Sequence, residues 1–125
     1  MKYGVIGSRV EVDEQFIVRA TNLAIEQSFP EGCISCTILA GGAPGVDEYV
    51  RRQCDGWGND FIMFKPIHLL DRTVEFSPRY YFVRNKQIID NSDYMIFFWS
   101  GEEDEVASAI HYATKRDKPH TVIKL

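Results

Sequence analysis

Five short apolar runs alternate along the chain with longer segments in which apolar residues recur at helical spacing. The runs cover residues 3–7, 37–40, 61–65, 94–99 and 121–125. Most of them are apolar almost throughout, which is typical of strands that are buried on both faces. The pattern therefore predicts five strands, each separated from the next by enough chain for a crossover helix.

Two helices are predicted before the third strand. The first begins beside Asp13, a suitable N-cap residue, and ends before Pro30. The apolar positions of its buried face are Phe16, Ala20, Leu23 and Ala24, with Ile17 as an alternative member. The second helix extends from near Gly45 to Trp57 and places Val46 in the core. Val50 and Trp57 complete that apolar stripe.

Two more helices are predicted in the second half of the chain. Pro78 stands where a first-turn proline is tolerated, and the helix that it opens ends near Asn91. The helical-period positions of that helix are Tyr81, Asn85, Ile88 and Ile89. Residues 100–103 have the form of a capping box that starts the last helix at Ser100. Its core stripe is Val106, Ala109, Ile110 and Ala113.

The alternation of strands and helices predicts the fold class. It indicates an α/β protein, a three-layer Rossmann-like sandwich around a five-stranded, mainly parallel sheet, for which we expect the strand order 3-2-1-4-5. The connection at residues 66–77 shows no element of its own, and loops of that length are often lids or binding segments.

Composition and charge narrow the range of functions. With 125 residues, 45% hydrophobic and 26% charged, the chain has the make-up of one globular domain. Its net charge of -4 disfavours a nucleic-acid partner. No apolar run approaches the length of a membrane span, and the first residues do not form a signal peptide, so we expect a cytoplasmic protein. The odd cysteine count, at Cys33, Cys36 and Cys54, predicts reduced thiols. The spacing of Cys33 and Cys36 is that of a metal half-site, but a second ligand pair is absent, so no metal site is expected.

Polar residues follow the first predicted strand. Loops at the carboxyl ends of parallel strands converge on a crevice where the strand order reverses. Gly7 permits a close backbone approach there, and the Ser8 hydroxyl and the Arg9 guanidinium suit a phosphate or a carboxylate. A tight turn with a solvent-exposed arginine explains the same residues equally well.

The turn after the second strand is unusually rich in glycine. Its residues are Gly41, Gly42, Ala43, Pro44 and Gly45, and Asp47 follows in the first turn of the next helix. Such a turn exposes successive backbone N–H groups at a helix N-terminus, which is an anion-binding arrangement. Asp47 either complements the helix dipole or accepts a hydrogen bond from a ligand hydroxyl or water. We interpret the turn as functional.

Two further motifs face the same crevice in the predicted fold. Arg84 and Asn85 are adjacent in the third helix, and one of them is expected to reach the crevice. The alternative is a surface arginine beside a half-buried asparagine. Trp99, Ser100 and Gly101 end the fourth strand and lead into four acidic residues, 102–105. Capping and the helix dipole explain those acids, which would repel a phosphate from that helix end.

These motifs together resemble the SLOG superfamily, which contains the DNA-processing protein DprA, the LOG-type phosphoribohydrolases and small nucleotide-sensing domains. The resemblance covers nearly the whole chain and depends on four motifs: Gly7-Ser8-Arg9, residues 41–47, Arg84-Asn85 and Phe97-Phe98-Trp99. It implies a single domain, residues 1–125, that binds a nucleotide-like small molecule along those motifs, without a cofactor and commonly as a homo-oligomer.

The resemblance is incomplete after the fourth strand. LOG-type enzymes carry a Pro-Gly-Gly-x-Gly-Thr-x-x-Glu motif that binds phosphate and supplies the catalytic glutamate, and this chain has Ser100-Gly101 and acids instead. We therefore predict a module that senses or sequesters a nucleotide. One alternative is an N-glycosidic hydrolase in which Asp47, Glu48 or Asp104 orients water. Another is a single-stranded DNA-binding protein with a basic groove.

Overall fold

The computed structural model of the protein describes residues 1–8, 13–28, 36–41, 46, 49–50, 60–71, 73–102 and 104–125, except for the side chain of residue 68. Five strands are present in this part of the chain: β1 Lys2–Gly7, β2 Thr37–Ala40, β3 Asp60–Met63, β4 Tyr94–Trp99 and β5 His120–Lys124. Its helices are α1 Glu14–Ser28, α2 Ile67–Leu70, α3 Arg79–Asn91 and α4 Asp104–Lys115.

The five strands form one parallel sheet with the order β3-β2-β1-β4-β5, so the predicted fold class and strand order are confirmed. β2 and β4 have the predicted bounds, and the other strands differ by one or two residues at their ends. Tyr3 in the central strand pairs with Ile38 on one side and Tyr94 on the other. β2 and β3 lie on one side of β1, whereas β4 and β5 lie on its other side. The strand order therefore reverses at β1 and β4, and their carboxyl ends form the switch point.

Apolar side chains cover both faces of the sheet. On one face Tyr3, Val5 and Phe98 pack with Ile17 of α1 and with Val46. On the other face the core members are Ile6, Leu39, Phe97 and Met95 with Ile88 and Ile89 of α3 and Val106, Ala109 and Ala113 of α4. Neighbouring residues of β4 therefore belong to opposite layers, as the two-residue period of a strand requires. The result is the predicted three-layer sandwich.

The described part of the predicted second helix consists of Val46, Tyr49 and Val50, which are all helical. Val46 and Val50 are buried, as the apolar spacing predicts. The rest of that helix, including Trp57, lies outside the described residues. The third helix begins after Pro78 and ends at Asn91, which confirms both predicted bounds.

The buried face of α1 differs from the prediction. Asp13 is the expected cap, because its Oδ1 accepts the N–H of Gln15 at 3.0 Å. Phe16 and Leu23, however, are 45% and 54% exposed, and the buried positions are Ile17, Thr21 and Ala24. The Thr21 hydroxyl donates to the Ile17 carbonyl at 2.8 Å, so this polar residue can be buried without an unpaired group.

Two predictions about the later connections are wrong. Residues 66–77 contain α2, which begins after Pro66, whose φ of -60° already suits a helix. The last helix begins at Asp104 and not at Ser100. Oγ of Ser100 instead accepts a hydrogen bond from the N–H of Glu102 at 3.3 Å. Gly101 has a φ of +96°, which lies outside the range of a right-handed helix. None of the described helices has the length and apolar character needed to cross a bilayer.

Candidate functional site

Ser8 joins the ends of the two strands at the switch point. Its backbone N–H donates to the Phe98 carbonyl at 2.9 Å, and its hydroxyl donates to the same carbonyl at 3.3 Å. The hydroxyl also accepts the N–H of Ser100 at 3.1 Å. With only 1% of its surface exposed, Ser8 is a buried clip between β1 and the residue that follows β4. The clip fixes the end of β1 against the residue that follows β4.

Gly7 contacts the protein itself. A Cβ at this position would lie 2.5 Å from Cβ of Val46 and 2.6 Å from its Cγ1. The helix that carries Val46 is therefore seated directly on the end of β1. The close approach predicted at Gly7 is used to pack this helix, because any side chain here would collide with it.

Arg84 and Asn85 are both buried, with 4% and 2% of their surfaces exposed. The alternative of a surface arginine is therefore wrong. Nε of Arg84 donates to Oδ1 of Asn85 at 3.0 Å, and Nη1 donates to the Gly41 carbonyl at 3.3 Å. Nη2 pairs with Oε1 of Glu105 at 3.4 Å. We call Arg84, Asn85, Glu105 and Gly41 the Arg84 cluster.

The Arg84 cluster depends on a glycine at the end of β2. A Cβ on Gly41 would lie 2.5 Å from Cζ of Arg84 and closer still to Nη1. Only a residue without a side chain lets the guanidinium lie against the strand end. The first glycine of the predicted anion-binding turn thus has a clear role, which is to admit a buried cation.

Glu105 is the residue that the sequence interpretation missed, because helix capping already explained the acidic run. Its Oε1 also accepts Nδ2 of Asn85 at 3.3 Å, so it holds both neighbours. The available signal was its position four residues before the core residue Ala109, which places both residues on the same face of the helix. Asp104, a catalytic candidate from sequence, is exposed at the start of α4.

Aromatic rings lie against two arginine side chains of α3. The guanidinium carbon of Arg84 lies 5.5 Å from the centre of the Tyr81 ring, and Phe76 meets that ring edge-on at 6.0 Å. Arg79 lies 5.5 Å from the centre of the Tyr80 ring. These are cation–π distances. The tyrosines at the start of α3 therefore restrict the orientation of the two arginines.

A cleft of about 520 Å³ adjoins the Arg84 cluster. It lies between the segment that follows β3 and the N-terminal half of α3, and we call it the α2–α3 cleft. Lys65, Arg79, Tyr80 and Arg84 are among the residues that line it. Arg84 therefore connects the end of β2 to a concave surface of ligand size.

The remaining predicted site residues fall into two groups. Arg9, Gly42, Ala43, Pro44, Gly45, Asp47 and Glu48 lie outside the described residues. Trp99 and Ser100 are partly buried and Gly101 is exposed, all beside the Ser8 clip. The Trp99 carbonyl accepts the N–H of Leu125 at 2.9 Å. Within the described ranges, no three His, Cys, Asp or Glu side chains are grouped to hold a metal ion.

Two titrating groups with displaced pKa values lie apart from the switch point. Desolvation raises the pKa of Tyr112, and its hydroxyl also donates to Asp90 at 2.9 Å. Tyr112 is in the last turn of α4, at the opposite end from Glu105. A hydrogen bond from the Thr73 hydroxyl lowers the pKa of Asp71 in the connection after α2. Both shifts have local structural causes.

Two solved structures share the fold of this chain. DNA processing protein A from Helicobacter pylori, described for its single-stranded DNA binding mode, matches with a TM-score of 0.74 and 18% identity over 100% of this chain. This chain covers 66% of that structure, slightly less than two thirds of its length. The structural genomics target TM1055 matches with a TM-score of 0.62 and 20% identity, over 95% of this chain and 71% of that one.

These structural matches show that the fold of this chain is shared with DNA processing protein A and with TM1055. At this level of identity they establish the fold alone. No protein-family model matches the chain, and no curated protein sequence matches it.

Proposed function

We propose that this protein binds a nucleotide or a nucleotide-derived phosphate ligand at the carboxyl edge of its sheet. The observation that carries the proposal is the placement of Arg84, a residue that is 4% exposed and whose guanidinium hydrogen-bonds near the end of β2 to Asn85, Gly41 and Glu105 among the described residues. The glycine-rich turn that begins at Gly41 continues from the same point in the sequence.

The energetics of a buried arginine favour a binding role. Desolvation of a guanidinium is costly, and replacing a buried ion pair by packed apolar residues is often neutral or stabilising. A buried guanidinium beside the end of β2, within reach of a cleft, is therefore better explained by a binding role than by a contribution to stability. The fixed planar fork of an arginine matches the oxygens of a phosphate.

The partners of Arg84 prepare it for such a ligand. Asn85 and the Gly41 carbonyl orient the guanidinium, which lowers the entropy lost on binding. Glu105 offsets the positive charge and offers carboxylate oxygens, which accept hydrogen bonds from sugar hydroxyls. In the proposed site Arg84 holds the phosphate and Glu105 a hydroxyl. Arg9, residues 42–45 and Asp47 surround the ligand.

The test is a thermal-shift and calorimetric comparison of nucleoside 5′-monophosphates with the matching unphosphorylated nucleosides. A phosphate-dependent ligand at 100 times its Kd should stabilise the native state by about 2.7 kcal/mol. Arg84→Gln should abolish that gain, whereas Arg19→Gln, an exposed arginine of α1, should retain it. Circular dichroism verifies that both variants fold.

Two results would refute this proposal. One is that no nucleotide raises the melting temperature. The other is that Arg84→Gln responds to nucleotides as the unchanged protein does.

Single-stranded DNA binding is a second candidate, and the observation that favours it is the fold match to DNA processing protein A, whose structure was described for that activity. The cations Lys65 and Arg79 of the α2–α3 cleft would supply phosphate contacts despite the net charge of -4. Fluorescence anisotropy of a labelled oligonucleotide should then decrease steeply between about 50 and about 200 mM salt. Absence of binding at the lower concentration removes this candidate.

A further inference from the structure

The α2–α3 cleft has a wall of exposed apolar side chains. Ile67 and Leu70 of α2 are 50% and 70% exposed, and Val83 of α3 is 48% exposed. All three line the cleft, together with the buried Pro66. Apolar residues gathered in a concavity, as opposed to scattered over a surface, mark a site that another molecule covers.

The rim of the cleft is positively charged. Lys65 and Arg79 are exposed and line it, and no described Asp or Glu does so. This local charge is opposite to the net charge of the chain, which is -4. The Arg79 guanidinium lies 5.5 Å from the centre of the Tyr80 ring, which reduces its freedom to move away from the cleft.

We propose that the α2–α3 cleft binds an organic anion with an aromatic or apolar body. The body lies against Ile67, Leu70 and Val83, and the anionic group lies between Lys65 and Arg79. Arg84 reaches the same cleft, but its side chain is buried, whereas Lys65 and Arg79 are exposed. The anionic group is therefore assigned to the two exposed cations, and this site goes beyond the nucleotide site at the strand ends.

Size and charge both favour a small ligand over a second copy of the chain. The volume of about 520 Å³ lies within the range of small-molecule sites, about 300–1,000 Å³. A two-fold interface centred on this cleft would bring Lys65 and Arg79 close to the same cations of the other copy. Like charges in a desolvated contact repel strongly, whereas an anion neutralises them.

The probe is 8-anilinonaphthalene-1-sulfonate, an aromatic sulfonate, titrated into the folded protein and followed by fluorescence and by amide NMR shifts. We expect saturable binding with shifts centred on residues 65–70 and 79–83. The double variant Lys65→Gln/Arg79→Gln should weaken binding about tenfold, because two charge-assisted contacts are lost. The control Lys115→Gln/Lys124→Gln makes the same charge change at exposed lysines elsewhere and should bind normally.

A neutral probe measures how much the anionic group contributes to the affinity, apart from the aromatic body. N-phenyl-1-naphthylamine, which lacks the sulfonate, should bind about tenfold more weakly than the anionic dye. Glu105→Gln, a change in the proposed nucleotide site at a residue that is not among the described residues lining the cleft, should retain the dye even if it loses nucleotides, so this site and the nucleotide site can fail independently. A melting curve of every variant confirms that the dye reports a folded protein.

Three results would overturn the proposal. The neutral dye could bind as tightly as the anionic one, or the Lys65→Gln/Arg79→Gln variant could retain full affinity. Alternatively, sedimentation could show a dimer that Val83→Glu dissociates, in which case the apolar wall is an interface between two copies.

Discussion

Gly7 and Gly41 stand at the ends of neighbouring strands and meet opposite kinds of neighbour. Gly7 ends β1 and lies against the apolar side chain of Val46. Gly41 follows β2 and lies against the guanidinium of Arg84. A Cβ would collide with a neighbour at either position. The contact at Gly7 packs a helix, whereas the contact at Gly41 accommodates a buried charge. A glycine at a strand end indicates that something approaches closely, and its neighbour decides the chemistry.

The two faces of the sheet therefore differ at their carboxyl edge. The face that carries α1 is closed there by apolar packing. The face that carries α3 and α4 has hydrogen-bonded polar and charged groups. Arg84 and Asn85 belong to α3, Glu105 belongs to α4, and the Gly41 carbonyl follows β2. This asymmetry favours the α3 side for the proposed ligand, and it can be tested one residue at a time.

Gly7→Ala should have the largest effect on stability. The atom it meets is Cβ of Val46, which can move only with its helix, so we expect a loss of about 3 kcal/mol in the free energy of unfolding. Urea denaturation measures this loss. Adding Val46→Ala should cost less than the sum of the two single changes, because it makes room for the new methyl group. Strictly additive losses would contradict the packing role of Gly7.

Glu105→Gln should have the next largest effect. It removes the carboxylate that pairs with the buried Arg84 guanidinium, although an amide oxygen remains as an acceptor. We expect a loss of about 2 kcal/mol, less than for a fully buried pair, because Glu105 is itself 27% exposed. Glu102→Gln removes an exposed carboxylate from the same acidic run and should change stability by under about 0.5 kcal/mol. Equal losses of stability in Glu105→Gln and Glu102→Gln would contradict the role of Glu105 as a partner of the buried Arg84.

Gly41→Ala should be milder than Gly7→Ala. The new methyl group meets the far end of a flexible side chain, which can shift at the expense of its hydrogen bonds, so a loss of about 1.5 kcal/mol is expected. In an Arg84→Ala background the same substitution should cost almost nothing. If the cost persists without Arg84, the glycine serves some other purpose.

Thr73→Val should have the smallest effect and tests a polar contact on the open surface. The Thr73 hydroxyl donates to Oδ1 of Asp71 at 2.7 Å, so its removal should raise the pKa of Asp71 toward the ordinary value. The shift should be incomplete because the Thr73 N–H still donates at 3.0 Å. NMR titration of the carboxyl group measures it, with Ser77→Ala as a control that leaves it unchanged.

The sign of the associated pH dependence follows from the lowered pKa. A carboxyl whose pKa is depressed by folding stabilises the protein above its ordinary pKa, and this contribution is lost as the pH falls through the folded-state value. Thr73→Val should therefore make stability slightly less sensitive to acid. A steeper acid transition in the variant would contradict this origin of the shift.

Local patterns in the sequence determined most of the architecture. The apolar runs predicted β2 and β4 to the residue, and the alternation with helices predicted the parallel sheet and its order. Asp13 and Pro78 marked two helix starts correctly. These features depend on neighbouring residues and on the periods of strand and helix, which a sequence displays directly.

Only the tertiary structure decided how those elements use their polar residues. The buried face of α1 includes Thr21, whose hydroxyl hydrogen-bonds to a carbonyl of the same helix. Arg84 became a buried cation because Gly41 and Glu105, 43 and 21 residues away, meet it at the strand ends. Contacts across such separations leave no local period in the sequence, so the identity of each partner follows from the packing of the sheet and its helices.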